Sequence, residues 1–182
     1  MAFQLPYPLC FTLSLPQILT FSTIAQAHNN ISLSSFLIAE QDSPFWASPS
    51  GDFAFVFQEI VNYEFLLAIW FYKIPERTIV WSANGHDLVR RGSKVELTAD
   101  GKFMLKDIAT GEQVWIADSA GVGVAYTTML DTGNFVLANQ DSRNLWESFD
   151  QPTDRILLTQ TLNLNIIIFA RYAARNYSIE RF

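Results

Sequence analysis

The chain has 182 residues, a formal net charge of −6, and 49 % apolar and 14 % aromatic side chains. That is enough apolar material for one domain with its own core, without metal or disulfide staples. The only adjacent basic pair is Arg90-Arg91, so no cluster of cations is available to neutralise phosphates, and a nucleic-acid partner is excluded.

The first 27 residues carry no charged side chain, hold an apolar stretch around Leu9 to Leu19, and end in Ala25-Gln26-Ala27. A small-x-small ending after an apolar stretch is the pattern of a secretory leader cleaved before His28. Residues 1–27 are therefore expected to be a signal peptide, which places the chain outside the cell, secreted or on the outer face of the plasma membrane. Cys10 lies inside that segment, so a processed chain would have no thiol and no disulfide. In that setting Asn30-Ile31-Ser32 and Asn176-Tyr177-Ser178 become glycosylation acceptors, at Asn30 and Asn176. No membrane span is expected after the leader, because the apolar stretch Leu162 to Ala170 is about half of the ~20 residues required.

From residue 45 to 158 the pattern is one of short alternating runs. They are Phe53 to Phe57, Phe65 to Phe71, Thr78 to Trp81, Lys102 to Lys106, Gln113 to Ile116 and Asn134 to Ala138. Period-two alternation between Gly, Asp, Ser and Asn residues marks strands and tight turns. Strands spaced by about ten residues point to a sandwich, barrel or prism built from hairpins.

Three of these turns repeat. Ser50-Gly51-Asp52-Phe53-Ala54-Phe55 parallels Asp100-Gly101-Lys102-Phe103-Met104-Leu105 and Thr132-Gly133-Asn134-Phe135-Val136-Leu137. In each, the Phe and the last apolar residue are two apart and share a face. Trp115 follows Gly101 by fourteen positions and Trp146 follows Gly133 by thirteen, as a hairpin with an indole on its returning strand requires. The first copy returns later, to Trp70-Phe71 and Trp81. Three such units bury their apolar faces against one another around a common axis. The tryptophans accordingly read as core, each stabilising by about 1.5–3 kcal/mol on burial.

No catalytic or metal constellation accompanies this pattern. His28 and His86 are too few for a histidine-rich metal site, and His86 follows the turn signal Asn84-Gly85. No serine stands in a Gly-x-Ser-x-Gly elbow. Gly121-Val122-Gly123 lacks the third glycine and the helix of a dinucleotide loop, and Arg90-Arg91 beside Gly92 reads as a solvated turn. Asp131, Glu147, Asp150 and Asp154 fall at turns and strand ends, where Glu147 and Asp154 are expected to anchor the loop after the last Trp. The reading is therefore of a non-enzyme without a cofactor.

The stretches SPSGDFAFVF (48–57), LLAIWF (66–71), TIVWSANG (78–85), GSKVELTADGKFML (92–105), MLDTGNFVL (129–137) and LWESFDQPTDRILLTQ (145–160) carry a resemblance to a known family. Together they resemble the bulb-type (monocot mannose-binding) lectin domain at the N-terminus of plant G-type lectin, or S-domain, receptor-like serine/threonine kinases. The resemblance implies an all-β β-prism II fold of three four-stranded antiparallel sheets in pseudo-threefold arrangement. It also implies a mannose site on each sheet with the pattern Gln-x-Asp-x-Asn-x-Val-x-Tyr, where alternate residues share a face and offer a row of donors and acceptors to sugar hydroxyls.

Aligned after the glycine, the third copy keeps Asn134 and Val136 but has Leu130, Thr132 and Ala138 at the other positions. The second keeps only Asp100, among Thr98, Lys102, Met104 and Lys106, and the first offers Ser48, Ser50, Asp52, Ala54 and Val56. The carbohydrate-binding residues carried over are thus Asp100, Asn134 and Val136, in degenerate sites. Each polar ligand left unpaired costs roughly 1–3 kcal/mol, so mannose binding is expected to be weak or absent. The kinases continue through a membrane helix and a catalytic domain, whereas residues 1–182 hold no kinase motif. The expected organisation is a leader at 1–27, a bulb-type lectin domain at 28–160, and at 161–182 a tail or the truncated start of a second lectin-like segment, its opening strand left with unpaired edges. The expected role is non-catalytic recognition of mannose-type glycans or of cell-surface proteins, with a protein-binding or decoy module as the alternative. Homo-oligomerisation stays open, since lectins gain avidity by presenting weak sites together.

Overall fold

The computed structural model describes residues 29–118, 123–161, 169–173 and 176–181, the last two segments through their backbone alone. The expected leader, with Cys10 and His28, lies outside the described residues, as do Gly121 and Val122. In chain order the strands are β1 (Ile31–Ser32), β2 (Phe36–Ile38), β3 (Trp46–Ala47), β4 (Phe53–Val61), β5 (Glu64–Phe71), β6 (Ile79–Ser82), β7 (Val89–Arg90) and β8 (Lys94–Leu97). They continue with β9 (Phe103–Lys106), β10 (Gln113–Ile116), β11 (Tyr126–Met129), β12 (Phe135–Ala138) and β13 (Asn144–Glu147). A single 3-10 turn, Ser148–Asp150, precedes β14 (Phe169–Ala173) and β15 (Asn176–Arg181).

Three antiparallel sheets result, ordered β3-β4-β5-β6, β2-β8-β9-β10 and β1-β11-β12-β13. The expected prism is therefore present. One sheet departs from four strands, because β7 also pairs with β5 through Glu64↔Arg90 and Phe65↔Val89. Each sheet takes its outer strand from the segment 31–47, so β1, β2 and β3 are dealt one to each. β14 pairs antiparallel with β15, from Phe169 opposite Arg181 to Ala173 opposite Asn176.

Register fixes which strands are equivalent. Ile69 faces Trp81, Leu105 faces Trp115 and Leu137 faces Trp146. The partner of each tryptophan strand is thus β5, β9 or β12. This corrects the repeat read from the sequence: Gly101 and Gly133 open β9 and β12, but the turn at Gly51 opens β4, one strand early. The first unit instead turns at Asn62-Tyr63, both with positive φ (42° and 66°), between the paired residues Val61 and Glu64. Two successive left-handed residues are the geometry of a tight hairpin turn that glycine usually marks.

The core lies on the axis between the sheets. The indoles of Trp81, Trp115 and Trp146 meet edge to face in a nearly equilateral triangle, with centroids 5.7, 6.0 and 5.7 Å apart and interplanar angles of 74–75°. A second layer joins Phe55, Phe103 and Phe135 at 4.2–5.8 Å. Here the symmetry breaks: β5 offers Leu67 where β9 and β12 offer Phe, and Phe55 of β4 supplies the third ring. Trp46 lies 5.7 Å from Phe55 and 6.0 Å from Phe135, parallel to both, and closes the stack.

The loop after Trp146 is fastened to β6. Trp81 Nε1 donates to the Gln151 carbonyl (2.8 Å), Ser82 N to Thr153 Oγ1 (2.8 Å), and Ser82 Oγ to Asp154 Oδ2 (2.7 Å). Asp154 thus anchors this loop, as its sequence position suggested.

Two expectations test the packing. Gly133 sits at φ +86°, and a Cβ there would meet Phe53 at 2.9 Å and overlap Leu157. Gly133→Ala is expected to cost about 1–3 kcal/mol, read as a melting temperature several degrees lower. Asp107 is buried, and burial pushes its carboxyl up, yet donors from Arg90 N, Thr110 N, Ala109 N and Ser93 Oγ hold it below the ordinary aspartate range. A depressed folded value stabilises above the unfolded value of about 3.9 and is lost as pH falls through the folded one. Melts of the native chain should therefore weaken below about pH 4 more steeply than those of Asp107→Asn, which starts lower at neutral pH.

Candidate carbohydrate-recognition surface

Alternate residues of β5, β9 and β12 point away from the axis, where a sugar would meet each sheet. On β12 these are Val136 and Ala138, preceded by Asn134. Asn134 is only 5 % exposed. Its Nδ2 donates to Glu147 Oε2 (2.7 Å), and its Oδ1 accepts from Ser148 Oγ (3.1 Å) and Phe149 N (3.2 Å). Ser148 Oγ in turn accepts from Phe135 N (2.9 Å), and Glu147 Oε1 accepts from Asn144 Nδ2 (2.9 Å). Three of the four hydrogen bonds an amide can make are therefore internal. The side chain ties the start of β12 to the turn after Trp146. Val136 is buried and stands opposite Glu147.

On β9 the equivalent row is Lys102, Met104 and Lys106, with Asp100 in the preceding turn. Asp100 Oδ2 pairs with Lys102 Nζ at 2.8 Å, and Oδ1 accepts from Thr98 Oγ1 at 2.6 Å. The Lys102 ammonium first, then the Thr98 hydroxyl, lower its carboxyl to about 2. Asp100 is thus an exposed, ionised group already facing a cation. The three carried-over residues do not converge: Asp100 belongs to the second sheet, Asn134 and Val136 to the third.

On β5 the corrected register puts Leu66, Ala68 and Trp70 at the positions of Asn, Val and Tyr. All three are buried, in an outer-face cluster with Ala54, Val56 and Ile79. An apolar row offers hydroxyls nothing to bond. At the end of the β5 row, a cavity of about 210 Å³ adjoins Trp70 and Val56, lined also by Asp42, Ser43, Phe45, Tyr72 and Arg77. No motif marked those residues; the one available signal was an indole at an outward strand position.

The remaining expected residues are peripheral. His86 is exposed on its turn, Arg90 and Arg91 are exposed, Asn30 is exposed just before β1, and Asn176 opens β15. Among the described residues no group of three or more His, Cys, Asp or Glu side chains could hold a metal ion, and no helix is long and apolar enough to cross a membrane. Asn134→Ala should leave Glu147 Oε2 without its donor and the Ser148 hydroxyl and Phe149 N without their acceptor, and cost about 1–3 kcal/mol, whereas Asp100→Asn should leave the melt unchanged; paired thermal denaturation checks both.

The family comparisons agree with this geometry. A family model described as D-mannose binding lectin matches residues 78–174, just over half of the chain. The chain is 43% identical over 169 residues to the G-type lectin S-receptor-like serine/threonine-protein kinase LECRK3 of Oryza sativa subsp. indica, a match covering 87% of this chain and 20% of that protein. It is 41% identical over 187 residues to LECRK2 of the same subspecies, covering 96% of this chain and 23% of that protein. The chain thus spans about a fifth of the length of these curated relatives. Among solved structures, the Japanese Marasmius oreades lectin matches with a TM-score of 0.48 and 16% identity over 65% of this chain and 88% of that one. With the prism, the tryptophan triangle and the family model in agreement, the chain belongs to the D-mannose binding lectin family.

Proposed function

We propose that the chain is a non-catalytic extracellular recognition module, related to receptor-kinase ectodomains, whose three sheet-face sugar sites are degenerate. One observation carries the reading: none of the three outward rows presents a free set of sugar ligands. Asn134 is engaged by Glu147, Ser148 and Phe149, Asp100 is paired with Lys102, and β5 shows Leu66, Ala68 and Trp70. A monosaccharide bound there would have to displace internal hydrogen bonds and leave buried groups unpaired, each at roughly 1–3 kcal/mol. The family membership supports glycans as the ligand class. The placement outside the cell is supported by the leader-like residues 1–27 and by relatives named as receptor-like kinases.

Titration calorimetry of the chain with mannose is expected to give a millimolar or weaker constant. Micromolar affinity would overturn the assignment of degenerate sites. A glycan array, with light scattering to set the valency, is expected to show selective retention of some glycans; an array without any, together with capture of receptor ectodomains, would replace glycan recognition by protein recognition.

A further inference from the structure

We propose that the tip of the β4–β5 hairpin is a self-association surface, through which two copies of the chain pair about a two-fold axis. The surface is built from Val61, Tyr63, Glu64, Arg90 and Arg91, with Ile108 beside it. It lies past the end of the Leu66 to Trp70 row and does not depend on which ligand the chain recognises.

The first hairpin overshoots the other two. Ile69, Leu105 and Leu137 stand at one level, each opposite a tryptophan of the core. β9 and β12 begin two residues before that level, at Phe103 and Phe135, whereas β5 begins five before it, at Glu64. The excess of three residues is about 10 Å of strand. This overhang is braced: β7 pairs with it through Glu64↔Arg90, Arg91 N donates to the Tyr63 carbonyl (3.0 Å), and Tyr63 N donates to Glu59 Oε1 (3.1 Å). A tip held in place loses little freedom on binding. Its turn keeps Tyr63 at φ 66°, a left-handed backbone where glycine or asparagine is favoured and a bulky ring is uncommon. Strain of this kind collects at sites of function.

The ring is not used by the core. Tyr63 is 62% exposed and Val61 48%, and Ile108, beside Gly92 in the adjoining turn, is 64% exposed. Open apolar groups next to arginine have the make-up of an interface centre, where Tyr and Arg are enriched. The charges identify the partner. Glu64 and Arg90 stand directly opposite on neighbouring strands, yet neither they nor Arg91 joins an ion pair among the described residues. A carboxylate and a guanidinium side by side are complementary to the same pair in reverse order. A second copy turned about a two-fold axis through the tip presents that reversed pair, Arg90 meeting Glu64 of the second copy and Glu64 meeting its Arg90. A partner carrying one sign of charge would be repelled at one of the two positions. The Tyr63 and Val61 side chains of both copies then pack between the two ion pairs.

The test is sedimentation velocity of the full chain at rising concentration. A monomer–dimer equilibrium is expected, with a dissociation constant on the order of 0.1 mM, as for a small transient interface. Tyr63→Gly removes the ring and relaxes the turn, so it should keep or raise the melting temperature while weakening the dimer about tenfold or more. Glu64→Arg and Arg90→Glu should each prevent self-pairing, because like charges then face each other. An equimolar mixture of those two variants should dimerise again, each supplying the charge that the other lacks. A chain that stays monomeric up to about 1 mM would overturn the proposal, as would a dimer unchanged by Tyr63→Gly. Failure of the mixed variants to pair, with their melts matching the native chain, would overturn the two-fold arrangement. None of these outcomes alters the glycan-array result, so recognition and self-association are decided separately.

Discussion

The fold depends on three indoles meeting edge to face on one axis. Each comes from the last strand of a different sheet, and each sheet curls its apolar side inward only because its tryptophan has two others to meet. Edge-to-face contact sets the positive rim of one ring against the negative face of the next, and contributes about 0.5–1.5 kcal/mol per pair beyond area burial. A triangle makes three such pairs from three side chains. The Phe55, Phe103 and Phe135 layer extends the stack, and Trp46 closes it from the outer strand of the first sheet.

The strands that bear this core were legible as sequence. β4, β5, β6, β9, β10 and β12 lie on the runs read as strands, although β4, β5, β6 and β12 bury residues of both faces and of the six only β9 alternates buried with more exposed side chains. The short strands were not. β1, β2, β3 and β7 have two or three residues, too few to show a period, and exist because a neighbouring sheet edge pairs them. β11 was hidden for another reason: its inward Thr127 is polar, and becomes acceptable in the core only through its hydroxyl bond to the Val136 carbonyl at 2.7 Å. The first repeat was misplaced because Gly51 looks like the turn at Gly101 and Gly133, whereas Asn62-Tyr63 carries no glycine to announce itself.

The recognition surface was legible in outline only. Asn134 stands where a sugar ligand would, and of the other positions in its row only Val136 agrees with that. Its actual partners, Glu147 and Ser148, lie thirteen and fourteen residues further on and are brought to it by the hairpin. A motif records which residue type occupies a position, not whether that residue's hydrogen-bonding capacity is already used.

The dealing of β1, β2 and β3 to three different sheets bears on how the chain reaches this shape. Ile31 must find Thr127, and Leu37 must find Val95, so the earliest strands are held open until much later ones have been made. Contacts of such long sequence separation slow folding, because loop-closure entropy is lost before they form. While ribosomal synthesis continues, the hairpins β4–β5 and β8–β9 can assemble locally. The sheets that take β2 and β1 can be completed only once β8 and β11 exist to receive them.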